Sequence, residues 1–220
     1  MLFSQETARA NIRNRDGKRV FYLAKGDQLT SDARDYLTRE RIEILPAETA
    51  RPERYKLLNG GYIEEKPEHM THLYGDVLVE KTHPRIAFRG AVDTLEAELL
   101  LCQLEIPHLQ NALGEVLQMV RNLLRCEVMG EPVRETSLGG LDANALRTHS
   151  HRPQDFYGQP HFMPSVSDGQ AVLRLNKLRT LMRHVELKAV AALQDRTDIL
   201  QACNRMSSYL YILMIQEKIK

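Results

Sequence analysis

The sequence predicts an all-α core, a five-helix up-and-down bundle, preceded by a small α+β unit. Three observations carry this expectation. From Pro84 onward, apolar residues recur at helical spacing in four long segments and one short one. The joints between those segments are marked by Pro and Gly. Upstream, two short β-rich runs flank a capped helix. The chain has 220 residues, 43% apolar and 27% charged, the composition of a folded chain with one full-sized core. Thirty basic residues against 29 acidic ones leave a net charge of +1, which argues against nucleic acid or an anionic membrane as a partner found by bulk charge. The longest clean apolar run, Tyr209 to Ile215, falls far short of the roughly 20 residues of a membrane span. The opening MLFSQETARAN has no apolar signal core, so a cytoplasmic location is expected. Cys102, Cys126 and Cys203 are widely spaced, without a CxxC, and encode neither a disulfide framework nor a zinc knuckle.

Residues 1–50 read as the small α+β unit. Arg19–Gly26 is predicted as a strand, and the segment from Thr30 to Ile42 as a helix. Thr30 or Ser31 is its cap, Asp32 and Asp35 lie in the first turn, and Leu37 and Ile42 face inward. Ile42–Leu45 reads as a second strand. Residues 51–83 form a connector with turn signals at Asn59-Gly60-Gly61 and Pro67, and Val77-Leu78-Val79 marks an extended piece or a loop. The bundle domain spans 84–220. Pro84 suits a first helical position, and Val92, Leu95, Leu99 and Cys102 follow at helical spacing. After Pro107, Leu113, Val116, Leu117, Val120, Leu123 and Leu124 fit a second helix. A short helix is predicted over Asp142–His149, then a Pro-punctuated loop. A third long helix runs from about Gln170 to Ala192, with Leu175, Leu178, Met182, Val185 and Ala189 inward. The last begins near Asp198.

Polar stripes interrupt these helices. Asn176, Arg179, Arg183 and Glu186 fall within roughly 80° of arc on the third long helix. Arg85, Arg89, Asp93 and Glu96 share a face of the first. Gln201, Asn204 and Ser208 align on the last, with Arg205 beside them. A single stripe is ordinarily a solvated helix face. The Asn204-Arg205 pair differs, because the surrounding CNRMSSYLYILMI leaves little polar face for water. Arginine presents a planar fork of donors suited to carboxylates and phosphates. His149, His151 and His161 lack a helix-spaced carboxylate to complete a familiar metal set, so no protein-held metal centre is expected there.

Four blocks in order resemble the ATP:cob(I)alamin adenosyltransferases of the PduO type, and most of all their ethanolamine-utilisation (EutT) branch. They are MTHLYGDVLVEKTHPRI (Met70–Ile86), FRGAVDTLEAELLL (Phe88–Leu101), LNKLRTLMRHVE (Leu175–Glu186) and DILQACNRMSSYLYILMI (Asp198–Ile215). The resemblance covers about Lys66 to the C-terminus, and the N-terminal unit more weakly. It implies a five-helix bundle that assembles as a homotrimer, with a dimer as the alternative, and binds ATP between neighbouring subunits. Thr71, Lys81 and Arg183 would hold ATP phosphates, and Glu186 and Asn204 would orient the nucleotide and its Mg²⁺. Asp93 would pair with Arg179 across the subunit boundary, and Arg179, Arg183 and Asp93 would form the catalytic set. Phe162 and Met163 would face the corrinoid, with Phe162 favoured as the apolar wedge below the ring.

The reaction so implied moves the 5′-deoxyadenosyl group of ATP onto cob(I)alamin. Its nucleophile is the substrate's Co(I), which requires of the protein positioning and charge neutralisation rather than a side-chain nucleophile. The chain departs from the family at three points. The Gly-rich loop before the threonine is EEKPEHM here, His184 replaces the second arginine of a pair, and no cysteine precedes Cys102 to build the upstream metal cluster of the ethanolamine branch. A variant without that metal is therefore expected. The further partners implied are a corrinoid reductase or a microcompartment protein. The altered loop favours the competing reading, a non-catalytic nucleotide-binding or scaffold protein of a metabolic microcompartment.

Overall fold

The computed structural model describes residues 1–15, 17–47 and 55–220. It has the helical core and the α+β N-terminal unit that the sequence predicts. Its chain divides into two compact units: Met1–Lys56 with Gly61–Glu65, and Leu57–Gly60 with Lys66–Lys220. The boundary expected between residues 50 and 51 lies outside the described residues.

In the first unit the order is β1 (Leu2–Phe3), α1 (Gln5–Ala10), β2 (Ile12–Arg15), β3 (Lys18–Leu23), β4 (Gln28–Leu29), α2 (Ser31–Arg39) and β5 (Glu43–Pro46). β3 is central, antiparallel to β2 and parallel to β5, while β1 pairs in parallel with β4. Thr30 caps α2, its hydroxyl accepting from the Ala33 N–H. The helix stops at Arg39, short of the Ile42 predicted. Arg41 turns to φ +54°, which lets Ile42 swing into the small core beside Ala8, Phe21, Ala33, Tyr36 and Leu37. The elements α1, β1, β2 and β4 escape sequence reading because they are too short for a period to accumulate. The pair β6 (Tyr55–Leu57) and β7 (Tyr62–Ile63) aligns Tyr55 with Ile63 around the predicted Asn59-Gly60-Gly61 turn, where both glycines have positive φ.

The second unit opens with a hairpin, β8 (Met70–Tyr74) and β9 (Val77–Glu80), which register Thr71 with Val79. Val77, Leu78 and Val79 are all buried, which is why this strand reads as a continuous apolar run rather than an alternating one. Then follow α3 (Pro84–Glu105), α4 (Gln110–Met129), α5 (Ala143–His151), α6 (Pro153–Tyr157), α7 (Gly169–Ala192) and α8 (Thr197–Lys218). A single 3₁₀ turn, Pro107–Leu109, joins α3 to α4, and a four-residue link joins α7 to α8. α3 packs on α4 and α7, α7 on α8, and α5 on α8. The fully buried side chains include Phe88, Leu95, Leu99, Leu113, Leu123, Leu146, Leu175 and Leu178. Among the described residues no helix is long and apolar enough to cross a membrane.

One stripe has a different use from the one its spacing suggested. Arg85 and Arg89 of α3 both donate to Glu127 of α4, a carboxylate buried in the core. Arg85 also donates to the Glu127 carbonyl at 3.0 Å. Glu96 accepts from Arg121 at 2.7 Å. Three of the four members therefore clamp α3 to α4. Only Asp93 is left on the exposed face.

Candidate active site

The α7–α8 seam carries four of the nine predicted site residues, Arg179, Arg183, Glu186 and Asn204. On α7 the apolar residues Leu175, Leu178, Met182, Val185 and Ala189 enter the core. Their helical spacing leaves Asn176, Arg179, Arg183 and Glu186 along the flank. Glu186 accepts from Asn204 Nδ2 of α8 at 3.2 Å. Seven residues back from Glu186 is Arg179, and seven residues beyond Asn204 is Tyr211; these two also feel each other electrostatically. Both pairs thus lie along one antiparallel seam, two helical turns apart.

Arg179 is half-buried, and its Nε and Nη2 donate to Asn176 Oδ1 at 3.3 and 3.0 Å. Burial first, and the adjacent Arg183 charge second, hold its pKa below the usual arginine range. Two guanidiniums set side by side favour a polyanion such as a phosphate chain. Arg183 is exposed, and its side chain makes no hydrogen bond or ion pair among the described residues. Next along α8, Arg205 is buried, and its Nη1 donates to Asn204 Oδ1 at 2.6 Å.

The remaining predicted residues lie elsewhere in this unit. Thr71 is on β8, half-buried, and Lys81 follows β9, exposed, with its backbone N–H donating to the His69 carbonyl at 2.9 Å. Neither side chain bonds to the α7–α8 set among the described residues. Asp93 is exposed on α3 and does not meet Arg179 within one chain, whose donors go to Asn176 instead.

The loop before α7 meets the far end of α8. Phe162 is half-buried, its ring 6.2 Å from that of Tyr211 and 4.7 Å below the Lys218 ammonium. Met163, its neighbour, is 90% exposed. His161 stacks on Tyr211 and shares a 3.0 Å hydrogen bond with its hydroxyl. A capping box between Ser165 and Asp168 sets the turn into α7, and Asp168 also pairs with Lys218. His149, by contrast, bonds to the Tyr157 hydroxyl at 2.9 Å and stacks on Phe156.

Sequence reasoning missed Glu127 and Tyr211. Glu127 stands four residues after Leu123, in the core register of α4, so a carboxylate there signals a buried counter-ion. Tyr211 reads as one more apolar residue of α8; only its contacts with His161 and Phe162 and its electrostatic influence on Arg179 distinguish it.

A Mg²⁺ ion accompanying a nucleotide fits this donor set. Glu186 has one oxygen engaged by Asn204 and the other without a hydrogen-bond partner among the described residues. Magnesium characteristically takes one or two carboxylates and fills its octahedron with water and substrate phosphate.

The sequence profile of the family described as "Cobalamin adenosyltransferase" matches residues 61–217. The protein named "Corrinoid adenosyltransferase EutT" of Salmonella typhimurium is 34% identical over 160 residues, and the protein of that name from Escherichia coli K12 is 33% identical over the same length. Each alignment covers 70% of this chain and 60% of the relative, so the chain spans about three-fifths of the curated relatives it matches. On a match that includes the hairpin, the arginine-bearing α7 and the Asn204 helix, the chain belongs to the cobalamin adenosyltransferase family.

Proposed function

We propose that this chain transfers the 5′-deoxyadenosyl group of ATP to cob(I)alamin, in the service of ethanolamine utilisation. The observation that carries this reading is the Arg179, Arg183, Glu186 and Asn204 set on one seam, inside the matched span. The substrate's Co(I) attacks C5′ of ATP. A cobalt–carbon bond forms, the C5′–O bond breaks, and triphosphate leaves with the bonding electron pair.

Arg183, Arg179 and Lys81 neutralise charge on the departing triphosphate, where fixed donors act with most effect. Thr71 donates to a phosphate oxygen, while Glu186 and Asn204 hold the nucleotide's Mg²⁺ side. Mg²⁺, when bound, shields the phosphate charge and orients the leaving group. Phe162 and Met163 face the corrinoid and exclude its lower axial ligand, which eases reduction of Co(II) to Co(I). Phe162 is the anchored member, backed by Tyr211, and Met163 the exposed apolar tip. Asp93 pairs with Arg179 of a neighbouring copy in a homotrimer, and the exposed position of Asp93 supports that pairing.

The test mixes the protein with ATP, Mg²⁺ and chemically reduced cobalamin and follows the corrinoid absorption spectrum. Conversion to the adenosylcobalamin spectrum is expected. ATP binding without conversion replaces this reading with a nucleotide-binding protein, and neither binding nor conversion with a scaffold.

A further inference from the structure

Arg205 is an unusual occupant of α8. It is 6% exposed, between the buried Cys203 and Met206, and its Nε is buried without a partner. Among the described residues no carboxylate pairs with it; its hydrogen bond goes to Asn204 Oδ1 at 2.6 Å. A buried guanidinium without a counter-ion works against folding, and an apolar side chain of similar length would suit stability better. Its place in α8 therefore answers to something other than packing.

The bond to Asn204 supplies that role. A side-chain amide has a donor end and an acceptor end. With Oδ1 held by the guanidinium, Nδ2 is the end presented to Glu186, where it donates to Oε1. The reversed amide would set its NH₂ against the guanidinium and its carbonyl against the carboxylate, two repulsive contacts in place of two attractive ones. Glu186 is thereby held by one oxygen, and Oε2 is left for the site.

We propose that Arg205 is a positioning residue: it locks the Asn204 amide, which in turn aims Glu186 at the cation that accompanies the nucleotide. This rests on the adenosyl-transfer reading for its consequence, though the three-residue relay is a property of the chain itself.

Arg205→Met is the primary test. The KM for Mg·ATP should rise about tenfold, as when an outer partner of a metal-site ligand is removed, while the corrinoid KM holds and the thermal midpoint holds or rises. Arg205→Lys should fall between it and the parent, since an ammonium keeps the charge but not the fork. Where the Met variant does not fold, the Lys variant carries the same test. An unchanged ATP KM in a folded variant, or equal rises for both substrates, overturns the proposal. Side-chain ¹⁵N–¹H NMR of the Asn204 amide provides a readout independent of turnover, and Arg205→Met and Glu186→Gln should each shift it. Should the amide respond while the parent protein fails to transfer adenosyl, the functional reading falls and the relay stands. An amide indifferent to Arg205→Met removes the relay whatever the activity.

Discussion

Arg89 Nε donates to Glu127 Oε2 at 2.8 Å, and with Arg85 on the other oxygen it encloses a carboxylate whose side chain is entirely shielded from solvent. Two positive charges on α3 thus meet one negative charge on α4. Removing the acid leaves two poorly solvated guanidiniums facing each other. Glu127→Ala should therefore destabilise the bundle by about 3–5 kcal/mol, read as a lowered urea midpoint with an unchanged slope.

The Arg183 side chain has no hydrogen-bond or ion-pair partner among the described residues, so its loss should leave the fold alone. Arg183→Ala should keep the helical circular dichroism of the parent and lose transferase activity by about 10²–10³-fold, the scale for removing one stabilising donor of developing charge. Unchanged turnover would count against the proposed site.

Gly139 tests local packing. Its φ is +58°, and a Cβ there would meet the Tyr209 ring at 2.6 Å. Tyr209 is buried, which pushes its hydroxyl pKa up to about 12, and it has little room to move. Gly139→Ala should cost about 1–3 kcal/mol through overpacking, added to the left-handed backbone strain. Gly140→Ala shares the positive φ but meets open space, so it should cost only the strain; thermal unfolding of the pair separates the two effects.

His83 makes the start of α3 sensitive to pH. Its Nδ1 accepts from the Arg85 N–H at 3.2 Å, which requires the unprotonated nitrogen. Burial first, then the Arg85 and Arg89 charges, lower its pKa in the folded protein below the ordinary 6.5. The unfolded chain therefore binds this proton more readily. The stabilising contribution is complete above pH 6.5 and is lost as pH falls through the lowered folded value. His83→Asn, which caps without titrating, should flatten that part of the profile of urea midpoint against pH.

Asp93 and Arg179 offer a test of assembly. If they pair across copies, Asp93→Arg should disperse the oligomer and Asp93→Arg with Arg179→Asp should restore it, as followed by light scattering on a sizing column. An oligomer indifferent to the single change excludes the pairing.

The long helices were legible because period accumulates over five or more turns: α3, α4, α7 and α8 lie close to where apolar spacing, Pro84 and Pro107 put them. The cap of α2 was legible to within two candidates, Thr30 and Ser31, of which Thr30 is used. Short elements such as α1, β2 and β4 were not, since their existence depends on neighbours distant in sequence.

By itself the sequence determined which faces are apolar and which residue types interrupt them, because side-chain direction follows helical phase. It could not determine what each interruption meets. Arg85 and Arg179 read alike as arginines on a polar stripe, yet α4 supplies Glu127 to the first, while the second faces Asn176 and the Arg183 charge on its own helix. Whether a charge is neutralised inside the protein or left for a ligand depends on which helix packs beside it, and that only the tertiary structure decided.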